Sequence, residues 1–196
     1  MDPLLGIPVG LALSTAAGLR VFVPLLLTSV AARYGYLALT PSMAWIASDA
    51  ALVAFATVAT IEIAAYYVPW LDNLVDAIAT PAAITAGIIE MAAVTPQLPP
   101  LLRWTLAVIA GGGAAGLAQL GTTLLRLKSS TLTAGTGNPI VATGELVGAL
   151  VLGVLGLLAP LLAAGVVVIL LVVLARRAIR RRASRRASRR AGPAPR

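Results

Sequence analysis

The chain has a short list of residues able to do chemistry: seven carboxylates, five basic residues outside a C-terminal arginine tail, and neither cysteine nor histidine. Lacking those two residue types excludes disulfides, thiolate chemistry, Ser-His-Asp catalysis and nearly all zinc, copper or haem ligation. Glu62, Glu90 and Glu145 fall within or near the ends of apolar runs, where an ionised side chain costs roughly 2.5–3.5 kcal/mol by insertion scales. Carboxylates in such places face an internal cavity, pair with a cation or take up a proton. They point to an ion or proton path lined by Glu62, Glu145 and Glu90, with Arg20 or Arg126 as counter-charge. The competing reading is that they are ordinary solvated helix ends, which suits Glu145, only six residues past Pro139.

Asp72 and Asp76 stand one helical turn apart, a spacing that can hold Mg²⁺ against a diphosphate. No second acidic cluster accompanies them, so the pair is read as the polar face of an interfacial helix, with cation or phosphate contact as the alternative. The chain is not expected to be an enzyme or to need a cofactor or metal. Gly111, Gly112, Gly113 and Gly116 cost helix propensity. Close helix packing is the expected return, and an unwound midpoint or thin-walled pore is the alternative. Thr133 to Asn138 lacks the Lys-Ser/Thr ending of a phosphate loop and reads as a cap and turn.

These residues sit in a chain of 196 residues that is 59% apolar and 11% charged, with mean hydropathy +0.95. Such values belong to polytopic helical membrane proteins. Ten of the fifteen Lys and Arg residues lie between Arg176 and Arg196, so the net charge of +8 belongs to the tail. Met1-Asp2-Pro3 lacks the basic start of a signal peptide, so the first apolar run is expected to be retained.

The fold expected is an all-α membrane bundle of about six transmembrane helices over 1–175, followed by a cytoplasmic polybasic tail, 176–196, without fixed structure. The first helix would be kinked or broken near Gly18–Arg20. The second would run from about Asp49, capped by Ser48, to Val68. The segment 69–80 would be interfacial or re-entrant. Thr80-Pro81 and Asn138-Pro139 carry the cap-then-proline signal of helix starts, giving a third helix to about Thr95 and a fifth from Asn138. A fourth would occupy Trp104 to Leu125. The uncharged run Leu146 to Ala175, thirty residues, exceeds one span and contains Pro160, which would open the sixth.

Ala16-Ala17-Gly18-Leu19 recurs as Ala114-Ala115-Gly116-Leu117, and Val58-Ala59-Thr60-x-Glu62 as Val141-Ala142-Thr143-x-Glu145. The matches suggest two inverted three-helix repeats, 1–96 and 100–175, of the kind found in transporters. Six crossings would put both termini in the cytoplasm. Arg126, Lys128 and the tail would lie inside and Arg33 and Arg103 outside, in a bacterial inner membrane. The tail, with Arg-Arg-Ala-Ser twice, is suited to anionic lipid; no aromatic residue is interleaved with the arginines, which disfavours nucleic acid.

Glu62, Pro69, Asp72, Asp76 and Thr80, followed by Gly111, Gly112, Arg126, Asn138 and Glu145, resemble the pattern of a bacterial integral-membrane family known as domain of unknown function 4126. Tyr66-Tyr67 stands where that family has Asp-Lys, and Gln119 and Thr122 where it has His and Lys. The resemblance covers Gly10 to Leu170 and implies a multi-pass membrane protein without a stated activity. The functional expectation is a small, homo-oligomeric transporter or channel for an ion or small solute. Its pathway would involve Glu62, Glu145, Glu90, Arg20, Arg126, Gln119 and Asn138 near the glycine-rich helix. The alternatives are a lipid-binding or interaction protein and, third, a Mg²⁺-dependent lipid-phosphate enzyme at Asp72 and Asp76.

Overall fold

In the computed structural model the first apolar run folds back on itself. Residues 5–173 and 176 are described, with the backbone alone for 69–77, and among them every regular element is helical. The elements are α1 (Gly6–Ala17), α2 (Phe22–Arg33), a 3₁₀ turn (Pro41–Ala47), α3 (Asp49–Ala65), α4 (Pro69–Ala93), α5 (Pro100–Leu106), a π segment (Ala107–Gly112), α6 (Gly113–Thr133), α7 (Asn138–Leu158) and α8 (Pro160–Val173).

The first apolar run is broken at Gly18–Val21, as expected, but its two arms do not continue as one span and instead form a helical hairpin. Leu13 of α1 and Leu27 of α2 both reach Gly153 of α7, their Cδ atoms 4.0 and 2.5 Å from where its Cβ would stand. Along one helix residues that far apart would be separated by about 21 Å. Gly10 likewise abuts Met91 while Thr28 bonds to Glu90, so both arms run beside the same end of α4. Each arm has 12 residues, about 18 Å, too short to cross a bilayer alone. α1 is apolar almost all round and is buried from Ala12 to Ala17, as a helix surrounded by other helices must be.

The ends of the bundle follow. Arg33 at the end of α2 pairs with Asp49 at the start of α3, and Thr40 N–H donates to Ala93 O at the end of α4, 2.8 Å. These define an Arg33 end. α3 runs away from it and α4 returns. The continuous run Pro100–Thr133 leads away again to Lys128, α7 returns, and α8 turns back at Pro160. Gly6 and Val173 therefore face opposite ends, unlike the arrangement six crossings would give. Among the described residues two helices are long and apolar enough to cross a membrane, Pro100–Thr133 and Asn138–Leu158, and the pair Pro41–Ala47 with Asp49–Ala65, bent by 63°, makes a third when counted as one span.

The second half starts differently from the first. Ala114–Leu117 lies in the unbroken α6, whereas Ala16–Leu19 ends α1 at the hairpin tip, and Gly18 packs on Ala115 and Ala118. A folded-back hairpin thus corresponds to a continuous helix at this pair of matching segments.

Pro81 does not start a helix but lies inside α4, which Pro69 opens. Its ring is exposed, so no neighbouring helix is displaced, and proline inside membrane helices is tolerated. The segment 69–80 is consequently part of one helix. At α3, Ser48 Oγ accepts from Ala51 N, 3.1 Å. Ser48→Ala should cost about 1 kcal/mol, read as a lower unfolding midpoint in detergent.

α4 meets the π segment across glycines. A Cβ on Gly111 would stand 2.5 Å from Gly87 O, and one on Gly87 would stand 2.7 Å from Gly111 O. Gly112 and Gly116 face Ile84, and Gly113 faces open space. The wide π turn falls where the side chains are smallest, which lets the backbone bulge without a clash.

Candidate functional site

The break between α1 and α2 places Arg20 at the hairpin tip, 1% exposed. Three longer helices bring side chains to meet it: Glu62 and Tyr66 from the last turn of α3, Arg126 from α6, and Glu145 from α7. All are buried. Because Arg126 and Glu145 each lie seven residues inside their helices, the cluster sits about 10 Å along the axis from the ends of α6 and α7 that meet at the Lys128 end.

Glu145 is the hub. Arg126 Nε donates to its Oε1 at 2.9 Å, and Arg126 Nη2 pairs with Oε2. Arg20 Nη2 lies 3.5 Å from the same Oε2 and donates to Ala142 O at 2.7 Å. Both guanidinium groups lie over the Tyr66 ring, their Cζ atoms 3.9 and 3.8 Å from its centroid, a cation–π arrangement strengthened by desolvation. The buried glutamate is therefore a shared counter-ion and not a solvated helix end.

Glu62 makes a different contact. Its Oε1 accepts from Val21 N at 2.8 Å and its Oε2 from Phe22 N at 3.1 Å. These are amides of the opening turn of α2, which has no side-chain cap of its own, and a carboxylate there satisfies orphan donors and the helix dipole. A groove of about 180 Å³ opens beside Glu62 between α2, α3 and α4, lined by Phe22, Val58, Ile61, Ile78 and Ala82.

Gln119 and Thr122 are buried on the face of α6 that carries Arg126. Asn138, at the start of α7, exchanges hydrogen bonds with Ser130, 3.0 and 3.3 Å, and Tyr67 OH lies 2.9 Å from Thr143 Oγ1. These polar pairs lie between the charged cluster and the Lys128 end. Glu90 does not join the cluster. It is fully buried nearer the Arg33 end, where Thr28 Oγ1 donates to its Oε2 at 2.7 Å. Asp72 and Asp76 have side chains outside the described residues, as does the tail beyond Arg176. Among the described residues no group of three or more acidic side chains is placed to hold a metal.

Tyr66 is the member that sequence reasoning did not single out as a site residue. It lies one helical turn after Glu62, on the same helix face, and that spacing was the available signal.

A family model described as Domain of unknown function (DUF4126) matches residues 7–181. No curated protein and no solved structure matches the chain.

Proposed function

The chain belongs to that family, and we propose that it is a small multi-pass membrane transporter or channel for an ion or small solute. The observation that carries this reading is the buried tip of the α1–α2 hairpin, where Arg20 meets Arg126, Glu62 and Glu145 inside the bundle. Interrupted backbone inside a bilayer is tolerated only where protein or a polar cavity surrounds it, and transporters place substrate sites at such breaks. Burying four charges costs several kcal/mol that a purely structural core would avoid with apolar side chains.

In this reading the hairpin and five crossings, α3, α4, α5–α6, α7 and α8, make up the membrane domain. Lys128 and the arginine tail face the cytoplasm of a bacterial inner membrane and Arg33 and Arg103 face out, by the excess of positive charge inside. The tail rests on anionic lipid, and the exposed apolar faces of α6 and α7 suit lipid contact and self-association. The polar pairs Asn138–Ser130 and Tyr67–Thr143 close the route from the cluster to the cytoplasm and act as its gate.

Protein reconstituted in liposomes should pass a proton, common ion or small anion, and Glu62→Gln should alter that flux by about tenfold or more, the scale of one lost charged hydrogen bond. Absence of flux for every tested ion, unchanged by Glu62→Gln, would sink the reading. The apolar groove beside Glu62 supports a second reading, a non-transporting lipid-binding protein. Co-purified lipid that is lost on Ala82→Leu, with no flux at any stage, would favour it.

A further inference from the structure

The chain has three glutamates, all buried in the bundle, and the structure offsets the charge of two. Glu145 receives guanidinium groups and Glu62 two backbone amides. Glu90, the most deeply buried at 0% exposed, has neither. Its Oε2 lies 2.7 Å from Thr28 Oγ1, and its Oε1 has no hydrogen-bond partner. A hydroxyl is a neutral donor, and an ionised carboxylate taken out of water with no more than that is costly enough to neutralise instead.

The surroundings offer no counter-charge. Of the elements packed on α4, the helix α1, the 3₁₀ turn and the π segment contain no titratable residue. α2 has Arg33 alone, five residues past Thr28 and so about 8 Å further along the axis, where it is 41% exposed and paired with Asp49 of α3. Tyr34 and Tyr36 beyond it are exposed. Glu62 of α3 is held by the α2 amides, and Arg126 and Lys128 of α6 lie toward the opposite end. Arg103 of α5 is partly exposed and makes no ion pair with Glu90. On α4 itself Asp76 and Asp72 are at least fourteen residues earlier, about 21 Å or more along the helix. We propose that Glu90 is a proton-binding site: the packed bundle holds its carboxyl as the neutral acid, and the proton leaves, to entering water, when α2 parts from α4. A hydroxyl accepts as well as donates, so in the acid Oε2–H donates to Thr28 Oγ1 across the same 2.7 Å, an ordinary O–H···O length. Oε1 is then a neutral carbonyl oxygen. A proton needs one open oxygen, whereas a hard metal cation needs about six. The site lies near the Arg33 end, apart from the charged cluster, and goes beyond the transport reading without resting on it.

The test uses the full chain in detergent with its glutamate carboxyls labelled with ¹³C. Infrared spectra at neutral pH should show a protonated-carboxyl C=O band that shifts with the label, is absent from Glu90→Gln and persists in Glu62→Gln. No such band in the wild type, or one that Glu90→Gln leaves in place, overturns the site. Should Glu90→Gln fail to fold, Thr28→Val makes the assignment: losing the hydrogen-bond partner should move the band to higher frequency, and an unmoved band overturns the site. Hydrogen exchange reads the coupling. The packed form binds a proton that the open form releases, so raising the pH should weaken protection of the α1 and α2 amides in the wild type relative to Glu90→Gln. The ratio should change by up to about tenfold per pH unit, the effect of one proton. Equal protection in the two at every pH overturns the coupling. A neutral Glu90 without liposome flux would retain this site and remove the transport reading; flux with Glu90 ionised would do the reverse.

Discussion

Glu145→Ala is expected to destabilise the protein by roughly 3–5 kcal/mol, the cost of leaving buried charge without its partner. Arg20 and Arg126 both converge on that carboxylate from within the bundle, 1% and 5% exposed. Neither guanidinium can give up its proton to escape the penalty, and the Tyr66 ring supplies only part of the lost stabilisation, about 1–2 kcal/mol per contact. The loss should appear as aggregated material on size-exclusion chromatography and a much lower unfolding midpoint in detergent. Replacing Arg20, Arg126 and Glu145 together by methionine should recover much of the stability, because apolar side chains of similar volume remove the desolvation cost of those three charges and leave Glu62 on the Val21 and Phe22 amides, while abolishing any function of the cluster. A Glu145→Ala protein as stable as the wild type would mean that the arginines reach water or another anion.

The second large effect concerns two glycines separated by two positions in sequence. Gly111→Ala puts a methyl 2.5 Å from the Gly87 carbonyl oxygen, and since the obstacle is backbone, α4 and the π segment must move apart. A cost of about 1–3 kcal/mol is expected, typical of forcing an extra group into a packed interior. Gly113→Ala adds the same methyl into open space on a helical backbone and should gain about 0.5–1 kcal/mol. Paired unfolding measurements separate packing from helix propensity. Equal shifts for the two variants would show that the close approach of α4 to the π segment contributes nothing.

The charged inventory was readable before any coordinates. Arg20, Glu62, Arg126 and Glu145 stood out because each interrupts an apolar stretch, and the cost of charge in lipid makes such interruptions conspicuous. The Ser48 cap, the break near Gly18–Arg20 and the turn at Pro160 were legible for local reasons: a side-chain acceptor at a helix start, small residues beside a charge, and an imino acid without an N–H. The two sides of the Gly18–Arg20 break carry no local signal of direction, since a kink and a reversal use the same few residues. Leu13 and Leu27 meet at Gly153 only because α7 lies across both arms. The cap-then-proline rule failed at Pro81 because Pro69 had already opened α4 twelve residues earlier, and the exposed ring let the helix continue.

Composition by itself determined that this is an all-helical chain of apolar segments, and the position of each charge determined which residues would be expensive to bury. Pairing was decided only in three dimensions. Glu62 goes to the α2 amides and Glu145 to both arginines because the hairpin tip ends at that depth, between the last turn of α3 and the middle of α7. A sequence records the cost of burying each charge, but the partner that offsets it is fixed by how far each helix reaches into the bundle.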